Sequence, residues 1–530
     1  MWGSLSLPSL SAPRFRSADY NRCLVVAAIM VAFALRLYRL DHQSLWEDEI
    51  HSVLRGNMGL ADMLREVLQT KNHVPLYFAL LRYWQRFAGD GEFAVRFFSL
   101  GWGVLSVAAI FRLGAAIGGG TTGLISASLL AISPFHVWYS QEARMYALVA
   151  FLAIGASYFF VKVLREDSLR GWFGYAICTL LAIYTHYFAC LVPLSHFLFL
   201  FLNRRTLKSA LLKWLIWMGA VASAYLPWIA VVLARAQGAQ GPNIIWIAPI
   251  RWMDPLLTLY VFGLGATADL RSPWNYPGAV ALLAMLGLAI LQIFKGGRFK
   301  LEERMLVHWL FTPLLLMSMI SYDLPIQQRP PIYVYMDRYL IVISPAFLIL
   351  AARGLSSLAR WRRCPAMVIS AIVLISIALS LRNLYFSPEY HREDWRGAIT
   401  YLRKHGRPGD VLIVSSDPHF AALAYYPPDD IPRRIVPFSA LAEESQAYLA
   451  QKGRSFLPQD GANPGRLWLI SALDNMNCHG FPYERNAQIA RGCPFDKIKA
   501  WLDAHYPILQ ERTFNGICLT LYDNEFRSDE

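Results

Sequence analysis

Apolar residues run through the first three quarters of this chain in blocks near twenty residues long, separated by short polar turns. A helix of that length crosses roughly 30 Å of hydrocarbon. Eleven spans are predicted, at 21–40, 92–117, 121–137, 145–164, 171–186, 187–203, 212–234, 276–294, 304–320, 338–353 and 365–384. The stretch 252–265, WMDPLLTLYVFGLG, is short and interrupted, which suits a re-entrant or interfacial helix; as one of a pair it would raise the count to thirteen.

Between the first two spans, residues 41–91 form a long loop with a pattern of its own. DEIHSVLRGNMGLADMLREVLQ carries apolar residues at helical spacing with charges opposite, predicting a helix along the membrane surface. In KNHVPLYFALLRYWQRFAG, Pro75 restricts Val74 and opens a second, aromatic-rich amphipathic segment.

After Leu384 the blocks shorten. DWRGAITYLRKHG has amphipathic helix spacing ending at a glycine, DVLIVSS is a buried-strand run, and RLWLISA, IKAWLDAHY and ICLTLYD continue the alternation of strand and helix. The expected organisation is a segment 1–20, a membrane domain 21–384 and a soluble α/β domain 385–530, the last long enough for its own core. The fold class is therefore a polytopic α-helical membrane protein with a C-terminal α/β domain. Asp394 and Trp395 are expected to cap and pack a helix at the start of that domain.

Composition agrees, with 55% hydrophobic, 14% aromatic and only 16% charged residues. The net charge of +13 does not imply a nucleic-acid partner, because the basic residues mark topology. Arg14, Arg16 and Arg22 precede the first span, and Lys162, Arg165, Arg170, Arg204, Arg205, Lys208, Lys213, Lys295, Arg298, Lys300, Arg304, Arg353, Arg360, Arg362 and Arg363 fall in alternate loops. This places the N-terminus in the cytoplasm and, with an odd number of spans, the C-terminal domain outside, in the periplasm of a bacterial inner membrane. No cleavage site follows the first span, which reads as an uncleaved anchor.

Cys23, Cys178, Cys190 and Cys364 lie in or beside spans as small apolar residues. Of Cys478, Cys493 and Cys518 in the outer domain, a Cys478–Cys493 disulfide is one of three pairings. The glycine run GAAIGGGTTG lacks the strand and lysine of a phosphate-binding loop and predicts a tight cytoplasmic turn.

With this topology, polar side chains from separated segments converge on the outer face. SLWEDEIHS places Glu47, Asp48 and Glu49 at a helix start, either as solvated acids favoured by the macrodipole or as a general base facing a cleft. SPFHVWYSQEARMYAL brings Gln141, Glu142, Arg144 and Tyr146 together, Arg144 being an interfacial anchor or a bidentate phosphate ligand. YTHYFA adds His186, and YVYMDRYL adds Asp337, Arg338 and Tyr339. Arg36, Arg39 and Arg96 also sit near outer ends, where they would snorkel to lipid phosphates or coordinate a bound one. An anionic lipid headgroup fits this set.

The order of SLWEDEIHS, HVPLYFALLRYWQRFAGDGEFAVRFFS, SPFHVWYSQEARMYAL and DRYLIVISPAFLIL resembles the bacterial protein O-mannosyltransferase-like glycosyltransferases of the GT-C fold class, alongside the aminoarabinose transferases that modify lipid A. The resemblance covers roughly 20–385. It implies transfer of a sugar from a polyprenyl-phosphate donor to an extracytoplasmic acceptor. The family's Asp-Glu pair falls on Asp48 and Glu49, with Glu47 a departure. His73 stands where the lipid A enzyme carries a lysine near the donor phosphate, and Asn72 where it has an acidic residue.

The chemistry matches the residue types. Asp48 would take the proton of an acceptor hydroxyl as its bond to the anomeric carbon forms, inverting that centre with one carboxylate and Glu49 in support. His73, Arg96, Glu142, Arg144, Tyr146, His186, Arg338 and Tyr339 are the candidates for binding donor and phosphate. A divalent cation, Mg or Mn, bridging Asp48 or Glu142 to the phosphate stays open. The rival readings are a lipid-linked sugar transporter, for which midplane charges and repeated halves are missing, and a non-catalytic glycan-binding membrane protein.

Overall fold

The computed structural model describes residues 17–70, 73–236, 249–295, 301–322, 333–414, 417–428, 433–435, 466–472 and 494–523. Its helices are α1 (Ser17–Leu37), α2 (Glu47–Asn57), α3 (Leu60–Thr70), α4 (Leu76–Ala88), α5 (Glu92–Gly118), α6 (Gly120–Ile132), α7 (Pro134–Ser140), α8 (Tyr146–Glu166), α9 (Leu169–Thr185) and α10 (Leu191–Leu202). They continue as α11 (Lys208–Ala236), α12 (Asp254–Leu264), α13 (Tyr276–Lys295), α14 (Leu301–Ser321), α15 (Ser344–Trp361), α16 (Arg363–Phe386), α17 (Trp395–His405), α18 (Asp417–Tyr425) and α19 (Pro494–His505).

Each of the eleven apolar blocks falls on a helix. Among the described residues, seven helices are by themselves long and apolar enough to cross a membrane, or eight if α6 and α7, bent by 58° at their junction, count as one. Three predicted spans lie outside that count: α9 with 17 residues and α10 with 12, neither of which alone spans roughly 30 Å at 1.5 Å per residue, and α1, which is 21 residues long. The segment at 252–265 forms α12, 11 residues long, as its interruptions suggested. The run Tyr339–Trp361 lies at the centre of the bundle, 83% of its apolar window buried, whereas α11 is peripheral at 11%.

The predicted tight turn is a single residue. Gly119 separates α5 from α6 with φ of +87°, a left-handed backbone that glycine adopts without a side-chain clash. A second glycine acts through proximity: a Cβ on Gly354 of α15 would lie 1.9 Å from the carbonyl oxygen of Met285 on α13. Small residues permit this approach between helices. Gly354→Ala is therefore expected to destabilise the bundle by about 1–3 kcal/mol, read as a lower melting temperature of the detergent-solubilised protein.

The loop 41–91 holds three helices, α2, α3 and α4, where one surface helix and a second amphipathic segment were expected. Met58 and Gly59 separate the first two.

The C-terminal sheet has strands β1 (Val411–Val414), β2 (Arg433–Ile435), β3 (Leu467–Ala472), β4 (Ile508–Phe514) and β5 (Ile517–Tyr522) in the order β2-β1-β3-β5-β4. β1 runs parallel to β2 and β3, while β5 is antiparallel to β3 and β4. All six residues of β5 are buried, as its continuous apolar run requires, and β4 is the exposed edge. Asp410 pins the sheet's start, accepting from Arg466 Nη2 at 2.7 Å and Trp468 Nε1 at 2.9 Å. Asp394 caps α17 by accepting the Gly397 amide at 2.9 Å, and Trp395 is fully buried, both as expected. Cys518 is a buried free thiol, and the Cys478–Cys493 pairing lies outside the described residues.

This sheet is fastened to the first outer loop. Ser44 Oγ donates to the Glu393 carbonyl at 2.6 Å and accepts the Trp395 amide at 3.1 Å. Arg396 meets Glu92 at 2.5 Å, and the Leu45 amide donates to the Tyr426 hydroxyl at 2.9 Å.

Candidate active site

Three acids open α2, where exposed amides favour negative charge. Their surroundings set them apart. Glu47 is half-buried at the flank. Glu49 is fully buried and bidentate to Arg96, whose Nε and Nη2 donate at 2.8 and 2.6 Å. The Ala143 amide adds a bond of 2.8 Å to the same carboxylate.

Arg96 spends its remaining donors on the carbonyls of Leu40 (3.0 Å), Gln43 (2.7 Å) and Ser44 (2.9 Å). Arg96 was expected at the donor phosphate; with its guanidinium saturated by protein acceptors, it is instead the structural partner of Glu49. Glu49 in turn is closed to an acceptor hydroxyl, and its support is confined to locking the loop 40–46, α5 and the 141–145 loop together.

Asp48 faces the opposite way and keeps 28% of its side chain exposed. Its Oδ2 lies 3.7 Å from Arg144 Nη2 and 3.6 Å from Arg338 Nη1, an ion-pair geometry beyond hydrogen-bond length. Burial pushes the Asp48 carboxyl up, but Arg144 and Arg338, with His51 and Arg55, outweigh it and hold its pKa below the ordinary value. The carboxylate is therefore ionised at neutral pH and retains lone pairs for an incoming proton.

Arg144 is delivered by the bend between α6 and α7. Ser133 caps α7 by accepting the His136 amide, and Pro134 occupies its first turn. At the same bend Arg36, fully buried, donates to the α6 carbonyls of Leu130 (3.1 Å) and Ala131 (2.8 Å) and to Ser140 Oγ (3.0 Å). Arg36 thus satisfies the broken helix end rather than a lipid phosphate. Arg39 is likewise engaged, donating to the Tyr385 carbonyl at 2.7 Å. Beyond the bend, Arg144 Nη1 reaches the Asp48 carbonyl and Ser52 Oγ at 3.2 Å each, and its buried Nε has no hydrogen-bond partner.

Arg338 lies over the rings of Tyr339 (5.7 Å) and Trp46 (6.0 Å). Tyr146 is buried against Tyr139 at 4.9 Å, and Tyr339 stacks on Phe188 at 5.2 Å. Asp337, adjacent in sequence, does not join Asp48: it accepts the Thr258 hydroxyl, and burial pushes its pKa up to about 6.

Neither histidine is a cation here. Burial, then the charges of Arg144 and Arg338, push the His186 pKa down to about 3, and its Nδ1 accepts the Phe188 amide as a cap. Burial with Arg144 and Arg55 holds His73 well below its ordinary value, so the imidazole that stands in the place of a lysine is neutral rather than cationic. It sits edge-on to Phe78 at 5.6 Å, and its carbonyl accepts the Tyr187 hydroxyl at 3.0 Å.

Glu142 turns away from Arg144 to a residue that sequence reasoning did not single out. Arg392, from the segment entering the C-terminal sheet, brings Nη2 to 3.2 Å from Glu142 Oε2, an ion pair out of hydrogen-bond alignment. Its guanidinium is 4.8 Å from the rings of both Trp46 and Trp138. Burial raises the Glu142 pKa and Arg392 opposes that rise. The signal in the sequence was the tetrad HRED at 391–394, indistinguishable from an ordinary charged linker.

Among the described residues no three His, Cys, Asp or Glu side chains group as a metal site. Asp48 faces two guanidiniums and Glu142 a third, a setting that does not fit a dedicated divalent-cation cage.

The dolichyl-phosphate-mannose-protein mannosyltransferase family matches residues 72–230. The undecaprenyl phosphate-alpha-4-amino-4-deoxy-L-arabinose arabinosyl transferase of Yersinia pestis is 23% identical over 407 residues, covering 71% of this chain and 70% of its own. Among solved structures, ArnT from Cupriavidus metallidurans bound to undecaprenyl phosphate superposes with a TM-score of 0.57 at 12% identity, over 96% of this chain and 98% of its own. The Archaeoglobus fulgidus oligosaccharyltransferase follows with a TM-score of 0.54 at 12% identity, over 86% of this chain and 70% of its own. The architecture is the GT-C fold, a polytopic helical bundle carrying a C-terminal α/β domain.

Proposed function

We infer that the chain is a GT-C glycosyltransferase of the arabinosyl transferase and O-mannosyltransferase type, moving a sugar from a polyprenyl phosphate to an extracytoplasmic acceptor. The site geometry, the family match and the likeness to an arabinosyl transferase that uses an undecaprenyl-phosphate sugar support this reading. The multi-pass bundle belongs to the inner membrane, and the alternation of basic loops favours a cytoplasmic N-terminus with the site and sheet in the periplasm.

The observation that carries the mechanism is Asp48, ionised and partly exposed, between two guanidiniums that do not hydrogen-bond its carboxylate. An acceptor hydroxyl attacks the anomeric carbon from the face opposite the phosphate; the C–O bond to the lipid phosphate breaks with its electrons, and Asp48 takes the hydroxyl proton. The configuration inverts and one carboxylate suffices. The leaving phosphate gains negative charge, which Arg144 and Arg338 offset. Their dual allegiance also tunes the base: an anion drawing on both guanidiniums loosens their hold on Asp48, so its proton affinity rises once donor is bound.

The test is a reconstituted assay in liposomes holding polyprenyl-phosphate sugars of several kinds, with glycoside product read by mass spectrometry. Movement of the lipid-linked sugar across the bilayer without a glycoside would replace this reading by the transporter. Arg144→Ala is expected to weaken polyprenyl-phosphate binding roughly 10- to 100-fold, the loss of a charge-assisted hydrogen bond. Unchanged affinity by titration would make Arg144 an interfacial anchor instead.

A further inference from the structure

The segment entering the C-terminal sheet is placed in the site with unusual thoroughness. The Arg392 amide donates to Gln43 Oε1 at 2.8 Å, and Asn515 Nδ2 holds the carbonyls of His391 and Arg392 at 2.6 and 2.8 Å. With the Ser44–Glu393 contact alongside, the backbone of Arg392 is fixed both to the first outer loop and to the turn before β5. Its side chain then runs inward, 9% exposed, between Trp46 and Trp138 to Glu142.

Glu142 needs that cation. It is 1% exposed, neither carboxylate oxygen makes a hydrogen bond, and a buried carboxylate without a partner is strongly disfavoured. It also stands in a short hydrogen-bonded sequence: its carbonyl accepts the Arg144 amide at 2.7 Å, and the next amide, Ala143, anchors Glu49. A displacement of Glu142 therefore moves Arg144 relative to Asp48.

We propose that Arg392 is a positioning residue for the transfer reaction: by pairing with Glu142 between the two tryptophans, it fixes the 141–145 loop and so holds Arg144 against Asp48. The C-terminal domain thereby completes the catalytic centre of the membrane domain. This rests on the transferase reading, in which Arg144 meets the donor phosphate.

The experiment compares three variants of the full-length protein with wild type in liposomes: Arg392→Met, Arg392→Lys, and Arg392→Met combined with Glu142→Gln. Two readouts are taken, steady-state transfer and hydrogen exchange of the 141–145 amides. Arg392→Met is expected to lower kcat on the order of 100-fold and to accelerate exchange in the loop, because a small misplacement of an aligned group is costly. Arg392→Lys recovers part of the rate, since an ammonium keeps the charge but not the planar fit between rings. Adding Glu142→Gln recovers at least about tenfold over Arg392→Met, because a neutral amide no longer demands a buried cation.

Wild-type kcat in Arg392→Met, or no gain from Glu142→Gln, would overturn the proposal. If wild type transfers nothing, the transferase reading has failed, and the coupling stands or falls on loop exchange: faster in Arg392→Met and restored in the double variant, or unchanged.

Discussion

Asp48→Asn is expected to lose sugar transfer by about three orders of magnitude, the middle of the range for a missing general base, while binding polyprenyl phosphate more tightly than wild type. The second half distinguishes this site from a simple acid–base pocket. In the folded protein the Asp48 carboxylate is the counter-ion of Arg144 and Arg338 at 3.7 and 3.6 Å. An amide of nearly the same shape removes that charge, so a phosphate no longer competes with a carboxylate for the two guanidiniums. The same substitution therefore lowers kcat and lowers the dissociation constant for the lipid phosphate. A variant that retains full rate would remove Asp48 from the chemistry, and one that binds the lipid more weakly would contradict the shared-cation arrangement.

The other large effect is on stability. Arg96→Met is expected to destabilise the protein by about 3–5 kcal/mol, because Glu49 would be left as a buried charge without its cation. Adding Glu49→Leu is expected to recover much of that loss, since two apolar side chains replace a buried pair at little cost. Activity does not return with it: the Arg96 guanidinium also ties the carbonyls of Leu40, Gln43 and Ser44, and Glu49 holds the Ala143 amide. Thermal melts of purified protein beside transfer rates separate the two consequences. A melt within about 0.5 kcal/mol of wild type for Arg96→Met would show that the pair is not what holds these segments.

Much of this arrangement was legible in the sequence. The helices follow apolar blocks whose length is dictated by bilayer thickness, and the strands of the C-terminal sheet follow short apolar runs bounded by turns. That Asp48, Arg144 and Arg338 come together was also readable, because charges beside spans are costly enough to stand out. The partition of labour within that cluster was not. Asp48 and Glu49 are neighbours in the chain, yet one helical step of 100° sends one toward Arg144 and Arg338 and the other into a saturated ionic contact with a residue 47 positions away. Arg96 looked as good a phosphate ligand as Arg144 until its acceptors could be counted.

Glu142 and Arg144 lie two residues apart in one outer turn. In the fold they point to different partners, Arg392 and Asp48, because the 141–145 loop is not helical. Arg392 itself left no pattern, since its meaning depends on two tryptophans and a glutamate from distant segments. The histidines misled for a related reason: their type suggests a titrating cation, but burial beside fixed guanidiniums keeps His73 and His186 neutral.

The contact between Ser44 and Glu393 joins residues 349 apart in the chain. At the ordinary pace of synthesis, about 5–20 residues per second, roughly 20–70 s separate the emergence of one from the other. Through that interval α2 and its three acids are already made while Arg392 and the sheet are not, and Arg338 appears only in its last part. The newborn protein therefore carries its proposed base for roughly 20–70 s before Arg392 can pair with Glu142, and on the proposed coupling it becomes competent only when its last strands have docked.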